Sequence, residues 1–201
     1  MESITDTFEA NFNSQEIIKK YKNWYFNYNK DVEKCKYYGP IKIKLLVHEI
    51  LDKDKNYYIG DFGCGSGLVG NSIFRNNFKI DGYDLSKDML NICDKSIYNN
   101  LFEFDFNIDY NNNEKKQYDL ITCCGTFTHG HVKIDRITEM FEYLKNNGYL
   151  IFSIRKSFYK KYDCENKLKS IFENKFEILE FEEDKYLDVE NAFYYVVKKI
   201  N

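Results

Sequence analysis

Gly63-Cys64-Gly65-Ser66-Gly67 follows the apolar run Tyr57 to Phe62 and leads into Leu68-Val69-Gly70, which reads as strand, tight turn and helix start. A glycine turn lets backbone approach a ligand closely, and the helix behind it offers unpaired amides. A second apolar run, Ile80 to Tyr83, ends at Asp84. A carboxylate at the tip of the next strand can accept hydrogen bonds from ribose hydroxyls. The chemistry implied is recognition of a nucleoside.

The glycines can be framed in two ways. Gly65-Ser66-Gly67-Leu68-Val69-Gly70 fits the G-x-G-x-x-G dinucleotide fingerprint, with Asp84 on the ribose of NAD, as in an NAD(P)-dependent oxidoreductase. In that frame the first glycine stands three residues beyond Phe62, too far from the strand, and no Tyr-x-x-x-Lys pair falls on a helix. The other frame, Asp61-x-Gly63-x-Gly65-x-Gly67, starts the turn at the strand's end and puts a carboxylate there. Like charges repel, so Asp61 is a poor neighbour for a pyrophosphate. It suits a phosphate-free cofactor with a positive amino group, such as S-adenosyl-L-methionine, and this frame accounts for more residues.

The elements that must hold these residues alternate. Ile17, Ile18, Tyr21, Trp24, Tyr25 and Tyr28 recur at helical spacing over Glu16 to Val32, in one helix or two short ones. Gly39-Pro40 breaks the chain before a helix over Ile41 to Leu51. Strands are expected at Tyr57–Phe62, Lys79–Tyr83, Leu101–Phe106, Tyr118–Cys123 and Tyr149–Ile154. Helices lie between them: one after the glycines to about Phe74, and one capped by Ser86 carrying Met89, Leu90 and Ile97. A third runs through Ile134, Ile137, Met140, Phe141 and Leu144, and a fourth over Lys161–Phe172. The strands Phe176–Glu182 and Ala192–Ile200 are joined by too little chain for a crossover helix, so they pair antiparallel as an edge hairpin. Residues before about Glu16 read as polar, loosely packed chain, and Asn107 to Gln117 as a polar loop rich in Asn and acids.

Composition bounds the partners. The 201 residues, 43% hydrophobic and 18% aromatic, suffice for one α/β domain, read as residues 1–52 (helical cap) and 53–201 (sheet core). A net charge of −3 with lysines interleaved among acids makes nucleic acid an unlikely partner. No run approaches the roughly 18 apolar residues of a membrane span, so a cytoplasmic protein, monomer or homodimer, is expected. The six cysteines form no C-x-x-C pair, and with three histidines they give no zinc spacing, so no metal is expected.

The sequence resembles the class I S-adenosylmethionine-dependent methyltransferases and, within them, the methyltransferase-like 27 (Williams-Beuren syndrome chromosomal region 27) family. The matching segments are Asp61–Gly70, Gly82-Tyr83-Asp84-Leu85-Ser86-x-x-Met89-Leu90, Tyr118–Ile121, Gly125-x-x-Thr128-x-Gly130-His131-Val132 and Leu144-Lys145-x-x-Gly148-Tyr149-Leu150. The match extends more weakly to Trp24, Tyr28, Asp31, Val32, Arg155 and Tyr159. Lys22 and Asn29 stand where relatives tend to carry acids, and His129 where they often have proline.

The resemblance implies a Rossmann-like α/β sheet of seven strands in order 3-2-1-4-5-7-6, with strand 7 antiparallel and helices on both faces. It implies a cofactor site of Asp61, Gly63, Cys64, Gly65, Gly67, Asp84, Leu85, Met89, Asp105, Phe106 and Cys124, with Asp105 and Phe106 at the adenine. Met89 can equally be core. Cys124 and Gly125 would flank the methionine part of the cofactor, Gly125 also facing the substrate, and His131 or His129 could take a proton from the acceptor; the alternative is two polar loop residues. Tyr21, Trp24, Tyr25 and Tyr28 form either a lid or a packed helix face. Arg155 either binds an acidic substrate or pairs with a neighbouring acid. The implied reaction transfers the sulfonium methyl to an O, N or C atom of a small molecule, or of a protein; a catalytically silent cofactor-binding scaffold is the further alternative.

Overall fold

A computed structural model describes residues 13–108 and 117–200. The expected polar start of the chain and most of the Asn-rich stretch lie outside the described residues.

Helix α1, Ser14–Lys34, is one continuous helix, begun by the Asn13 side chain accepting from the Gln15 amide and burying Ile17, Trp24 and Val32. Helix α2, Gly39–Ile50, has proline in its first turn, where the missing N–H costs nothing, and buries Ile43, Leu46 and Val47. The strands follow: β1 Tyr57–Phe62, β2 Phe78–Asp84, β3 Tyr98–Glu103, β4 Tyr118–Phe127, β5 Leu144–Arg155, β6 Phe176–Leu187 and β7 Glu190–Lys199. Between them run α3 Leu68–Ile73, α4 Lys87–Asn91, α5 Ile137–Met140, α6 Lys156–Lys161 and α7 Cys164–Phe172.

The strands form one sheet in the order β3-β2-β1-β4-β5-β7-β6. Pairings from β3 through β5 are parallel, and β7 runs antiparallel to both β5 and β6. Both faces are covered, which is why the central strands are apolar almost throughout. On β4, Leu120 joins the cluster under α2 with Ile43, Val47 and Val69, while Ile121 joins the opposite one with Phe152, Phe158 and Phe172. Since β1 pairs with β2 on one side and β4 on the other, the chain reverses direction there, opening a crevice at the carboxyl ends of β1 and β4.

The local reading departs from the structure in several places, the simplest being that β4 runs on to Phe127 and β6 to Leu187, beyond the expected Cys123 and Glu182. Helix α4 stops at Asn91, and Ile97 sits in a turn closed by its amide on the Asp94 carbonyl, so β3 begins earlier, at Tyr98. Phe104, Asp105 and Phe106 consequently lie beyond β3, though Phe104 is still tied to β2 through the Asp84 carbonyl. The expected helix through Leu144 is a single α turn flanked by 3-10 turns, and Leu144 already opens β5. Finally, the helix expected over Lys161–Phe172 begins only at Cys164, behind Asp163 in the left-handed conformation (φ 50°), and a separate helix, α6, precedes it.

Candidate functional site

The glycine turn is held from inside the protein. The amides of Gly63 and Cys64 both donate to the Tyr83 carbonyl (2.7 and 3.0 Å), and Gly67 N donates to Cys64 O (2.8 Å). Gly65 N donates to Asp84 Oδ2 and Ser86 N to Asp84 Oδ1, each at 2.8 Å. Gly63 has φ 74°, and a Cβ there would stand 2.0 Å from Thr126 Oγ1, so no side chain fits.

Asp61 faces away from the crevice. Its buried carboxylate accepts from Tyr98 Oη (2.7 Å), Thr122 Oγ1 (2.9 Å) and Gly70 N (3.2 Å), anchoring α3 to β4 and β3. Burial raises its pKa to about 6 despite those donors. Tyr98 also fills the space under Gly67 and Gly70, where added Cβ atoms would meet its ring or hydroxyl at 3.0 and 2.2 Å.

Above the turn lies a cavity of about 960 Å³, counting the space open at its mouth. Gly63, Gly65, Asp84, Leu85, Met89, Asp105 and Phe106 line one end. Cys124, Gly125, His131 and Arg155 line the other, and Tyr21, Trp24 and Tyr28 of α1 close it from above. Asp61, Cys64, Gly67, Tyr25 and His129 are not brought into it.

His129, expected beside His131, turns to the far side of its loop. Its Nε2 pairs with Ser157 Oγ (3.1 Å), and its ring packs on Phe158 and Tyr162. His131 does face the cavity. Its Nδ1 lies 3.0 Å from the His129 carbonyl, which can only accept, so Nδ1 carries the proton and Nε2 is the acceptor for Tyr21 Oη at 3.0 Å. Burial lowers the His131 pKa to about 4 and holds the ring neutral.

Arg155 lines the cavity yet binds Glu190 Oε2 through Nε (2.8 Å) and Nη2. Of its two expected roles, pairing with an acid is the one observed. Burial pushes the Asp84 pKa up to about 6, the two backbone amides working against it.

Polar contacts among the described residues pin helix α1 over the site, including Ser14 Oγ to Asp105 Oδ2 (2.5 Å), Tyr21 to His131, and Ser66 Oγ to Asn29 Oδ1 (2.6 Å). The cavity also uses residues that sequence reasoning missed. Tyr37 follows α1 and Tyr186 is the last residue but one of β6; their hydroxyls meet at 3.2 Å, and Tyr37 Oη reaches Cys124 Sγ at 3.3 Å. Neither carries a local signal, because only the pairing of the α1–α2 connection with the terminal hairpin (Tyr38 N to Tyr186 O, 2.9 Å) brings them there. Asn107 and Thr126, by contrast, adjoin segments already singled out, and Thr128 lies within one of them.

Residues 61–150, which span the turn, Asp84 and β4, match the family model described as a methyltransferase domain. The fold is the Rossmann-like fold of the class I methyltransferases. A ubiquinone biosynthesis O-methyltransferase of Hydrogenovibrio crunogenus is 25% identical over 128 residues, covering 62% of this chain and 52% of that protein. The chain thus spans about half the length of the curated relatives it matches. An S-adenosylmethionine-dependent methyltransferase from Clostridium acetobutylicum superposes with TM-score 0.63 at 18% identity, over 90% of this chain and 99% of that one. The [4+2]-cyclase SpnF superposes with TM-score 0.69 at 16% identity, over 96% and 98%. The same fold therefore serves a protein named for another reaction, and function must be argued from the site.

Proposed function

We propose that the chain is an S-adenosylmethionine-dependent methyltransferase acting on a small molecule, working as one domain whose described residues 13–52 cap the sheet. The observation that carries this reading is that the amides of Gly63, Cys64, Gly65 and Gly67 are all spent within the protein, with the Asp84 carboxylate beside them. A pyrophosphate would find neither free donors at those positions nor a compensating charge, since Arg155 is already paired with Glu190. A nucleoside without phosphate suits the same surface. The match of residues 61–150 supports this choice over the dinucleotide one. We also propose, from the narrower sequence motifs, that the chain groups with the methyltransferase-like 27 proteins.

The cofactor brings a methyl group already activated on sulfur, so the protein's work is alignment and exclusion of water. Asp84 accepts from the ribose hydroxyls, Asp105 from the adenine amino group, and Leu85, Met89 and Phe106 give the base an apolar seat. Cys124 and Gly125 flank the amino-acid part. His131 Nε2, neutral and already an acceptor, takes a proton from a hydroxyl that replaces Tyr21 Oη. An oxygen acceptor is favoured because the curated relative quoted above is named as an O-methyltransferase.

Calorimetric titration with S-adenosylmethionine, S-adenosylhomocysteine and NAD tests the reading. The two sulfur cofactors should bind and NAD should not; NAD binding alone would overturn it. Methylated products sought by mass spectrometry in a metabolite mixture then separate an enzyme from a silent scaffold.

A further inference from the structure

Two cysteines that the proposed reaction does not use share one carbonyl at the floor of the cavity. Cys93, just past α4, donates to Gly65 O at 3.1 Å, and Cys64, in the turn itself, lies 3.9 Å from the same oxygen. Gly65 is the residue whose amide holds Asp84 and whose backbone lines the cavity. The other cysteines have no such neighbour. Cys123 and Cys124 are adjacent on β4, so they point to opposite faces of the sheet and fall in different core clusters. Cys164 is buried among the helices of the first of these, and Cys35 lies at the end of α1.

We propose that Cys64 and Cys93 form an oxidisable dithiol, and that their disulfide releases the glycine turn and weakens cofactor binding. The oxidant is a hydroperoxide. One thiolate attacks the peroxide oxygen to give a sulfenic acid and water, and the second thiol displaces hydroxide from that sulfur. The sulfur–sulfur bond forms, two thiol hydrogens and two electrons are lost, and hydrogen peroxide leaves as two waters. Both S–H donors to Gly65 O vanish in the product, and the end of α4, which carries Met89, is drawn toward the turn. Both residues are buried, at 6% and 5% exposure, so the reaction needs the turn to open. Burial also holds the Cys64 thiol protonated, which keeps the reaction slow. A ligand over Gly65 opposes that opening, and by linkage the disulfide then opposes the ligand.

This inference rests on the cofactor reading only for its ligand arm. The protein is treated with hydrogen peroxide, with and without S-adenosylhomocysteine, and its disulfides are mapped by peptide mass spectrometry. A Cys64–Cys93 disulfide should form, more slowly with the ligand present, and the oxidised protein should bind S-adenosylhomocysteine about tenfold more weakly until reduced with dithiothreitol. Cys93→Ser should abolish that disulfide and the oxidant sensitivity, and Cys123→Ser should leave both. Absence of the disulfide after peroxide treatment, or unchanged affinity in the oxidised protein, overturns the proposal. If the reduced protein binds no S-adenosylhomocysteine, the cofactor reading fails, whereas the disulfide map still decides whether the dithiol exists.

Discussion

A carboxylate that already accepts two backbone amides can still serve a ligand if lone pairs remain, and Asp84 is in that position. Its pKa near 6 makes the ligand interaction pH-dependent within an accessible range. Above pH 7 the group is ionised and accepts from ribose hydroxyls; below pH 6 a proton occupies the same oxygens. Affinity for S-adenosylhomocysteine should be flat above pH 7 and fall by up to about tenfold per pH unit below 6, measured by calorimetry. Asp84→Ala should bind about 10–100-fold more weakly at pH 8, the worth of hydrogen bonds to a charged group, and should lose the pH dependence. Unaltered affinity in that variant would remove the residue from the site. The stability signs differ from group to group. Asp61 and Asp84 carry raised folded pKa values, so their buried charge disfavours folding above pH 6, a penalty relieved as pH falls through that value. His131 is opposite: with a folded pKa near 4, it costs stability as pH falls from its ordinary value toward 4.

At the scale of elements, α1 is what turns an open crevice into a cavity, and its hold on the core is polar rather than deep. Only Ile17, Trp24 and Val32 are buried along its length, while Ser14, Tyr21 and Asn29 tie it to Asp105, His131 and Ser66. Removing one tie should loosen the cover without unfolding the sheet. Asn29→Ala, which leaves Ser66 Oγ without that partner, should speed release of S-adenosylhomocysteine by about fivefold, the equivalent of one neutral hydrogen bond near 1 kcal/mol. The chain's single tryptophan, Trp24, lies in α1 over the cavity and gives the fluorescence signal for stopped-flow measurement. An unchanged release rate would mean that α1 does not control exit. Most of this element was legible, because a helix with one aromatic face announces itself by spacing. The strand order came with the family resemblance, and the short final connection independently gave the antiparallel hairpin at its edge. The short α4 and the split 134–143 segment were not, because apolar residues at helical spacing also fit a chain of turns. Asp61 was misplaced for a related reason. Its position in the sequence fixes the strand end, but its direction depends on Tyr98 and Thr122, which belong to distant strands.

The cavity takes walls from nearly the whole chain: α1, the ends of β1, β2 and β4, and the terminal hairpin through Tyr186 and Leu187. The ends of that path are joined directly, by Tyr38 N to Tyr186 O (2.9 Å), Asp188 N to Cys35 O (3.2 Å) and the Lys36–Asp188 pair (3.1 Å). Exposed ion pairs contribute little, so the two backbone bonds and the buried tyrosines carry this joint. A ligand in the cavity therefore binds a surface that exists only when the cap, the sheet and the hairpin are assembled together. Such a ligand stabilises the assembled molecule by mass action, about 2.7 kcal/mol at a hundred times its Kd. For a domain of this size each kcal/mol raises Tm by about 2–4 °C, so S-adenosylhomocysteine at that excess should raise it by about 5–11 °C. NAD at the same concentration should not. If the shift appeared in sheet unfolding followed by far-UV circular dichroism but not in Trp24 fluorescence, α1 would be leaving before the ligand does. The cap would then be a cover laid over a site that the sheet completes by itself. Coincident shifts in both signals would instead make α1 and the terminal hairpin parts of one cooperative binding unit.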